Sequence, residues 1–243
     1  MDLSLVSWVY FLISALIVGF SKTSVGGLGI IVVLTMALAF PAKESVGVLL
    51  PMLVAADIIA VIFYKRDCNW KIIFKIFPLT ALGVVLGYFI LDKISKDIFE
   101  VVLGVIILSM LVLSTIIEKK NLDFSDSKLF AVPIGILAGI ATMLANAAGP
   151  LMAIYFLQLG LPKKDFVGTR SWFFLLLNVF KLPFSANLGL ISFHTLSLNL
   201  LSILIIVLGA FLGVKFLKKI DMNIFSWIIK ISAFFVSIKL IFF

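Results

Sequence analysis

The sequence predicts an all-α polytopic membrane protein with two inverted repeats, each holding a short helical hairpin or broken segment and roughly three spanning helices. The first observation is composition: 63% of the 243 residues are hydrophobic and 13% are charged, against about 25% charged residues in soluble domains. The second is the arrangement of apolar residues in long continuous runs, and the third is an internal repeat. The composition excludes a soluble enzyme, because so few polar residues cannot coat a core of this size. Its apolar content also excludes a disordered chain.

Ten apolar runs are candidates for membrane helices or parts of them. A spanning helix needs about 20 residues, and the lack of alternation between apolar and polar positions excludes a β-barrel. The runs are Leu3–Phe20, Leu28–Phe40, Ser45–Tyr64, Ile72–Leu91, Ile98–Ile117, Leu129–Ala145, Pro150–Leu161, Phe166–Ala186, Thr195–Leu217 and Ile224–Phe243. Two of them, Leu28–Phe40 and Pro150–Leu161, are too short to span comfortably.

An internal repeat divides the chain into two halves. Leu82–Ile94 and Leu208–Ile220 are identical at seven of 13 positions, 126 residues apart. Shorter matches at spacings of 120 and 121 residues occur earlier in each half. We therefore predict a first transmembrane repeat over residues 1–120, a polar linker over 121–128 and a second repeat over 129–243.

The basic residues decide how the halves are oriented. They are scattered between the apolar runs, so the net charge of +8 does not indicate nucleic acid. If each short run continues the helix before it, the 16 Lys and Arg residues near loops divide 8 against 8 between the membrane sides; if it folds back as a hairpin, they divide 12 against 4. The positive-inside rule favours the hairpin, which inverts the halves and places both termini outside the plasma membrane. The outer four are Lys43, Lys93, Lys96 and Lys181.

The first candidate site is the glycine-rich break Gly19–Gly29, with the sequence GFSKTSVGGLG. Polar backbone within an apolar stretch is tolerated where it lines a cavity or is buried in protein, and a helix N-terminus after such a break attracts anions. Close helix packing is the alternative explanation for the small residues. The predicted anion contacts in this break are Ser21, Lys22, Thr23, Ser24, Gly26 and Gly27.

The second candidate site is the equivalent break Gly139–Pro150, with the sequence GIATMLANAAGP. The predicted contacts here are Thr142, which occupies the position of Lys22, together with Asn146 and Gly149. Asn146 suits either a helix cap or a ligand contact. In an inverted repeat the two breaks meet near the membrane midplane, so that two helix N-termini converge on one site.

Isolated polar residues in spanning segments are the third candidate set, because intramembrane charges mark functional sites. Asp57 aligns with Asn178, and we predict that this pair couples transport to a proton or cation; a salt bridge of Asp57 with Lys22 or Arg170 is the alternative. Arg170 suits bidentate binding of an oxyanion or anchoring at the cytoplasmic interface. Lys181 is predicted to be interfacial.

The stretch GFSKTSVGGLGIIVVLTMALAFP and the later AGIATMLANAAGP resemble the sulfite exporter TauE/SafE family of permeases. The resemblance covers essentially the whole chain, and the two breaks are its most specific part. It implies a bacterial or archaeal plasma-membrane transporter of sulfur-containing anions such as sulfite, sulfonates, sulfoacetate, sulfate or thiosulfate.

We therefore predict a secondary transporter, and not an enzyme, that moves a small sulfur-containing oxyanion by alternating access. The alternatives are an anion channel or passive pore, a non-transporting membrane subunit, and a cation carrier with Asp57 as ligand. No cofactor and no metal are predicted, since nucleotide and metal motifs are missing and His194 is the sole histidine. The expected partners are the small anion, membrane lipids and a coupling proton or cation; nucleic acid is not expected, and a homo-oligomer is compatible with the sequence.

Overall fold

The computed structural model describes residues 4–24, 28–91 and 128–221 continuously, and scattered residues within 93–112 and 223–238. The described residues form helices joined by turns, with no strand among them, which confirms the prediction of an all-α protein. The eight helices of the continuous stretches are α1 Leu5–Thr23, α2 Gly29–Ala39, α3 Ala42–Tyr64, α4 Trp70–Leu91, α5 Lys128–Ala145, α6 Ala148–Gln158, α7 Lys163–Asn187 and α8 Phe193–Lys219.

Each of these helices matches one predicted apolar run, and every boundary lies within three residues of the predicted one. The runs Ile98–Ile117 and Ile224–Phe243, and the linker 121–128, lie mostly outside the described residues. Helix starts follow local chemistry. Ser192 and Thr195 form a reciprocal capping box at α8, and Ser4 accepts from the backbone N–H of Ser7 at α1, so both satisfy donors that a helix start leaves free.

Helices α1, α4, α8 and most of α3 are long and apolar enough to cross a membrane. Their outward surfaces carry large apolar side chains, including Phe74, Leu200 and Leu204, which are 72%, 69% and 79% exposed. Apolar patches of this extent are unfavourable in water and are suited to lipid. The structure therefore supports a membrane protein.

The short helix α2 folds back along α1. The hydroxyl oxygens of Ser14 on α1 and Thr35 on α2 lie 2.6 Å apart, although a continuous helix would separate them by about 30 Å. Helices α5 and α6 also pack against each other. The hairpin expected at Leu28–Phe40 is thus present, whereas the inversion of the halves relative to the membrane stays a prediction.

The helices pack as two bundles that exchange one helix between the sequence halves. Bundle A, defined as α1, α2, α3 and α8, and bundle B, defined as α4, α5, α6 and α7, each surround their own apolar core. Helix α8 packs on α1 and α3, and its counterpart α4 packs on α5 and α7. The main contact between the bundles is α3 against α7. These two helices therefore form the walls of any site between the bundles.

Glycines allow the closest approaches within each bundle. A Cβ on Gly83 would collide with the α5 backbone at Ile136 and Gly139. A Cβ on Gly209 would collide with the α1 backbone at Leu16. The glycine pairs Gly83/Gly87 and Gly209/Gly213 are therefore helix contacts, as small-residue motifs in membrane helices commonly are.

Candidate functional site

A small cavity lies between the bundles, where the breaks after α1 and α5 meet α3 and α7. Its volume is about 40 Å³, enough for roughly three waters or one small ion, since a water needs at least about 10–15 Å³. Its walls are formed by Ser21, Lys22, Leu49, Leu53, Thr142, Asn146, Gly149, Arg170, Phe174 and Asn178. Both breaks thus contribute to one shared site.

Arg170 on α7 holds the end of α1. Its Nη2 donates to the carbonyl oxygens of Ser21 and Lys22 at 2.8 Å and of Ser24 at 3.2 Å. These carbonyls have no helical partner at a helix C-terminus, where a cation is also favourable. Arg170 is 2% exposed, and its Nη1 is buried with no partner among the described residues. The guanidinium therefore holds the end of α1 with one nitrogen, while its other terminal nitrogen is buried without a partner among the described residues.

A buried ion pair joins the first break to α3 and α7. Lys22 Nζ lies 2.7 Å from Asp57 Oδ1, and Asn178 Nδ2 donates to Asp57 Oδ2 at 2.7 Å. Lys22 also lies over the Phe174 ring, 4.4 Å from its centroid, a favourable cation–π contact. Asn178 Oδ1 is buried without a partner among the described residues. The salt bridge with Lys22 is therefore the alternative that the structure shows for Asp57.

The second break is held by Lys181, also on α7. Lys181 is fully buried and donates to the carbonyl and hydroxyl oxygens of Thr142 and to Asn146 Oδ1. Asn146 forms the turn between α5 and α6 with a φ of 55°, a left-handed conformation that asparagine tolerates well. Both breaks are thus tied to α7 by a cation.

The structure distributes the predicted contact residues unequally. Seven of the predicted residues line the cavity: Ser21, Lys22, Thr142, Asn146, Gly149, Arg170 and Asn178. Thr23 Oγ1 instead donates to the carbonyl of Ala210 at 2.8 Å, and Ser24 Oγ donates to that of Phe20. Gly26 and Gly27 lie outside the described residues. The binding role of every one of these residues stays a prediction.

Two expectations about cations need correction. The prediction that Lys181 is interfacial is wrong, because its side chain is buried among protein groups at the second break. The alternative of Arg170 as an interfacial anchor is also wrong, since its guanidinium is buried at the end of α1.

Sequence reasoning missed Lys181, Leu49, Leu53 and Phe174, although helical spacing carries a signal for all of them. Residues 170, 174, 178 and 181 recur at intervals of four, four and three, which places them on one face of α7. Residues 49, 53 and 57 share a face of α3 in the same way. Counting along each helix from Arg170 and from Asp57 with this spacing identifies the four residues that sequence reasoning missed.

The charges around the cavity favour an anion. Three basic side chains, Lys22, Arg170 and Lys181, lie at or next to the cavity, and among the described residues Asp57 forms an ion pair with one of them, Lys22. No group of three or more His, Cys, Asp or Glu side chains suited to a metal occurs in the described part of the chain. A cationic pocket with an unpaired guanidinium N–H group is suited to a small oxyanion.

Comparison with known proteins gives one match. A family model described as sulfite exporter TauE/SafE matches residues 11–240. No curated protein and no solved structure matches the chain.

Proposed function

This chain belongs to the sulfite exporter TauE/SafE family of membrane transporters, and we propose that it is a secondary transporter for a small sulfur-containing oxyanion at the plasma membrane. The observation that carries this proposal is Arg170, a buried guanidinium whose Nη1 faces no protein partner in the part of the chain that is described. Sulfite, sulfate and thiosulfate present only oxygen or sulfur acceptors to such a donor, and an oxyanion accepts its strongest hydrogen bonds from guanidinium groups.

Alternating access is the transport mechanism that the bundle arrangement supports. The cavity receives Ser21, Lys22, Leu49 and Leu53 from bundle A, and its other six lining residues from bundle B. Rocking of one bundle against the other would open the cavity first to one side of the membrane and then to the other. The two bundles meet mainly through α3 and α7, so this movement is a rotation or sliding of those two helices.

Asp57 and Asn178 are the proposed coupling residues. Their hydrogen bond crosses from bundle A to bundle B, and Asp57 also pairs with Lys22 at the cavity. Protonation of Asp57 would end that ion pair and release the Lys22 ammonium to the substrate. Proton movement and anion binding would then depend on each other, as linkage requires.

The test is counterflow in proteoliposomes. Vesicles are loaded with unlabelled sulfite under nitrogen, and uptake of labelled sulfite is measured in the presence and absence of the internal load. A carrier shows saturable uptake that internal sulfite accelerates; a pore shows flux without this acceleration; a non-transporting subunit shows no flux. Sulfate, thiosulfate and methanesulfonate as competitors identify the preferred anion.

The chain supplies a matched control for the key residue, since it contains two arginines. We expect Arg170→Met to lower kcat/KM for sulfite by roughly 100-fold, the loss expected for a charged hydrogen bond. Arg66 lies exposed in the turn after α3, so Arg66→Met should leave transport unchanged. Equal activity of both variants would contradict the proposed site.

Proton coupling is tested with Asp57→Asn, which keeps the shape of the side chain. We expect this variant to retain sulfite exchange and to lose accumulation driven by a pH gradient. Retained pH-driven accumulation would remove Asp57 from the coupling mechanism.

A further inference from the structure

The side chain of Lys181 forms three hydrogen bonds, all of them to oxygens of the second break. An ammonium group has three N–H donors and no acceptor. In Lys181 these donors are matched by three oxygens: the Thr142 carbonyl at 2.7 Å, the Thr142 hydroxyl at 3.1 Å and Asn146 Oδ1. Lys181 itself does not line the cavity, whereas Thr142 and Asn146 do. Its influence on the cavity therefore passes through these two side chains.

The contact with Lys181 decides which way the Asn146 amide faces. A reversed amide would place its NH₂ group against the ammonium, where no acceptor exists, so Oδ1 must point to Lys181. Asn146 Nδ2 then points away and donates one hydrogen to the carbonyl of Val46 at 3.0 Å. The second hydrogen of this NH₂ group has no acceptor among the described residues and is left for the cavity.

The same contact fixes the hydroxyl of Thr142. A hydroxyl both donates and accepts, and Thr142 Oγ1 accepts from Lys181. The hydroxyl hydrogen has no acceptor among the described residues. Thr142 and Asn146 can each both donate and accept hydrogen bonds. Lys181 uses an acceptor atom of each, so that their donor groups are left for the cavity.

Asn178, another residue that lines the cavity, does not have this property. Asn178 donates to Asp57, so its unpaired buried atom is the acceptor Oδ1. An anion binds to N–H or O–H donors, whereas a cation needs an acceptor oxygen such as Asn178 Oδ1. The second break is therefore the wall of the cavity that discriminates for negative charge.

We propose that Lys181 is a positioning residue that makes the second break a donor-only wall for the transported oxyanion. The proposal rests on the proposed function, because it assigns a role at the same cavity. Lys181 lies outside the cavity lining. It acts by orienting Thr142 and Asn146, without touching the anion.

The experiment is a thermodynamic cycle on the full-length chain purified in detergent, with sodium sulfite under nitrogen as the probe. The first variant is Lys181→Met, and the second is Thr142→Val with Asn146→Gly. Glycine at 146 tolerates the positive φ, and valine keeps the shape of threonine. The third variant combines all the changes, and sulfite Kd is measured by titration calorimetry for each protein.

We expect Lys181→Met to weaken sulfite binding by roughly 10- to 100-fold in the wild-type background, the range for hydrogen bonds to charged ligands. In the background without the Thr142 hydroxyl and the Asn146 amide, the same change should alter Kd less than about threefold, because residues acting through one another are not additive. A merely structural role would lower stability without producing this non-additivity.

Lys163 provides the matched control. It lies on α7 as well and donates to a backbone carbonyl, that of Ile220, at 2.7 Å, but it does not line or adjoin the cavity. Lys163→Met should therefore leave sulfite Kd unchanged. If it weakens sulfite binding as much as Lys181→Met does, the proposal is overturned.

A further variant keeps the proposal testable if Lys181→Met does not fold. Asn146→Asp retains a partner for Lys181, removes the hydrogen bond to the Val46 carbonyl and adds an acceptor oxygen at the cavity, so it should weaken sulfite binding by more than 100-fold in the protein that remains folded. Unchanged Kd in this variant overturns the donor-only wall, as does an equal effect of Lys181→Met in both backgrounds. Absence of sulfite binding by the wild-type chain would overturn the proposed function together with this inference.

Discussion

The two breaks occupy equivalent places in the two halves, yet their charges are arranged differently. In the first break the cation Lys22 lies on the break itself and is neutralised by Asp57 on α3. In the second break the equivalent position is the neutral Thr142, and the cation is Lys181 on α7. The residue equivalent to Asp57 is the amide Asn178.

We infer from this difference that the two breaks have different roles, coupling for the first and anion binding for the second. A cation paired with a carboxylate can change its charge state when the acid takes up a proton, which suits coupling. Lys181 has no carboxylate among the partners described for it and donates to neutral oxygens of the second break, which suits a supporting role at an anion site. The two breaks thus lie at matching positions in the sequence, while the charged groups around them differ.

The largest expected effect comes from breaking the ion pair of the first break on one side only. Asp57→Ala leaves the Lys22 ammonium buried and unpaired, which costs about 3–5 kcal/mol. We expect the thermal midpoint in detergent to fall by about 10 °C. The double variant Lys22→Met with Asp57→Leu should recover most of this loss, and a double variant as unstable as Asp57→Ala would contradict the pairing.

The glycine contacts test whether the two halves are equivalent in packing. A Cβ on Gly19 would meet the α8 backbone at Ile206, and one on Gly139 would meet the α4 backbone at Thr80. Valine at either position should therefore destabilise the protein by a similar amount, about 3 kcal/mol. Gly160 has open space around it and a φ of 61°, so Gly160→Ala should cost only about 1 kcal/mol. Tolerance of valine at one glycine alone would show that the two contacts are not equivalent.

Lys22 tests whether the neutralised break also binds the anion. In an Asp57→Asn background no carboxylate is left unpaired, so Lys22→Ala can be compared with its parent directly. We expect sulfite affinity to fall about tenfold through loss of one charged donor. An unchanged affinity in a well-folded protein would remove Lys22 from the binding site and leave anion recognition to Arg170 and the second break.

The smallest effect on activity, and the sharpest test of inversion, comes from thiol labelling. Cys68 lies in the turn between α3 and α4, and residue 186 lies beside the equivalent turn of the second half. Inverted halves place these turns on opposite sides of the membrane. A membrane-impermeant maleimide should label Cys68 only from the cytoplasmic side, and Ala186→Cys in a Cys68→Ser background only from the outer side. Labelling of both from one side would show parallel halves.

The pH of this experiment matters because burial raises the pKa of the Cys68 thiol to about 11. The thiolate is the reactive form, and about one Cys68 thiol in a thousand is ionised at pH 8, so labelling is slow there. The labelling rate should rise about tenfold per pH unit up to that pKa. The exposed cysteine at 186, with an ordinary thiol pKa near ~8.5, should reach its maximal rate at lower pH, and equal pH profiles would contradict the burial of Cys68.

Most of the helical architecture could be predicted from the sequence, because apolar runs in a membrane protein must be helical to satisfy their backbone groups. The breaks were also predictable, since glycine and hydroxyl residues interrupt the runs at matching positions. The exchange of α4 and α8 between the bundles could not be predicted, because it depends on which helices pack against each other at their glycines. A glycine motif predicts close contact without naming the partner helix.

The sequence identified several polar residues of the site, but it did not predict what each side chain contacts. Lys22, Asn146 and Arg170 stood out as polar groups in apolar surroundings. The sequence could not show that Thr23 donates to Ala210 across the bundle, since a hydroxyl near a break satisfies a carbonyl as readily as a ligand. Lys181 was assigned to the interface because a lysine near a helix end usually extends there, although its spacing from Arg170 places it on the cavity face of α7.

The exchange of helices between the bundles has a consequence for how the chain is made. Helix α1 is synthesised before the other seven helices, and its main partner, α8, is synthesised after them. Until then the contact surface around Gly19 must be covered by lipid or by a neighbouring chain. Helix α4, in contrast, meets its partner α5 as the next helix of the continuous stretches. The contact of α4 with α5 can therefore form before α8 is made, whereas bundle A is completed only after α8 has been synthesised.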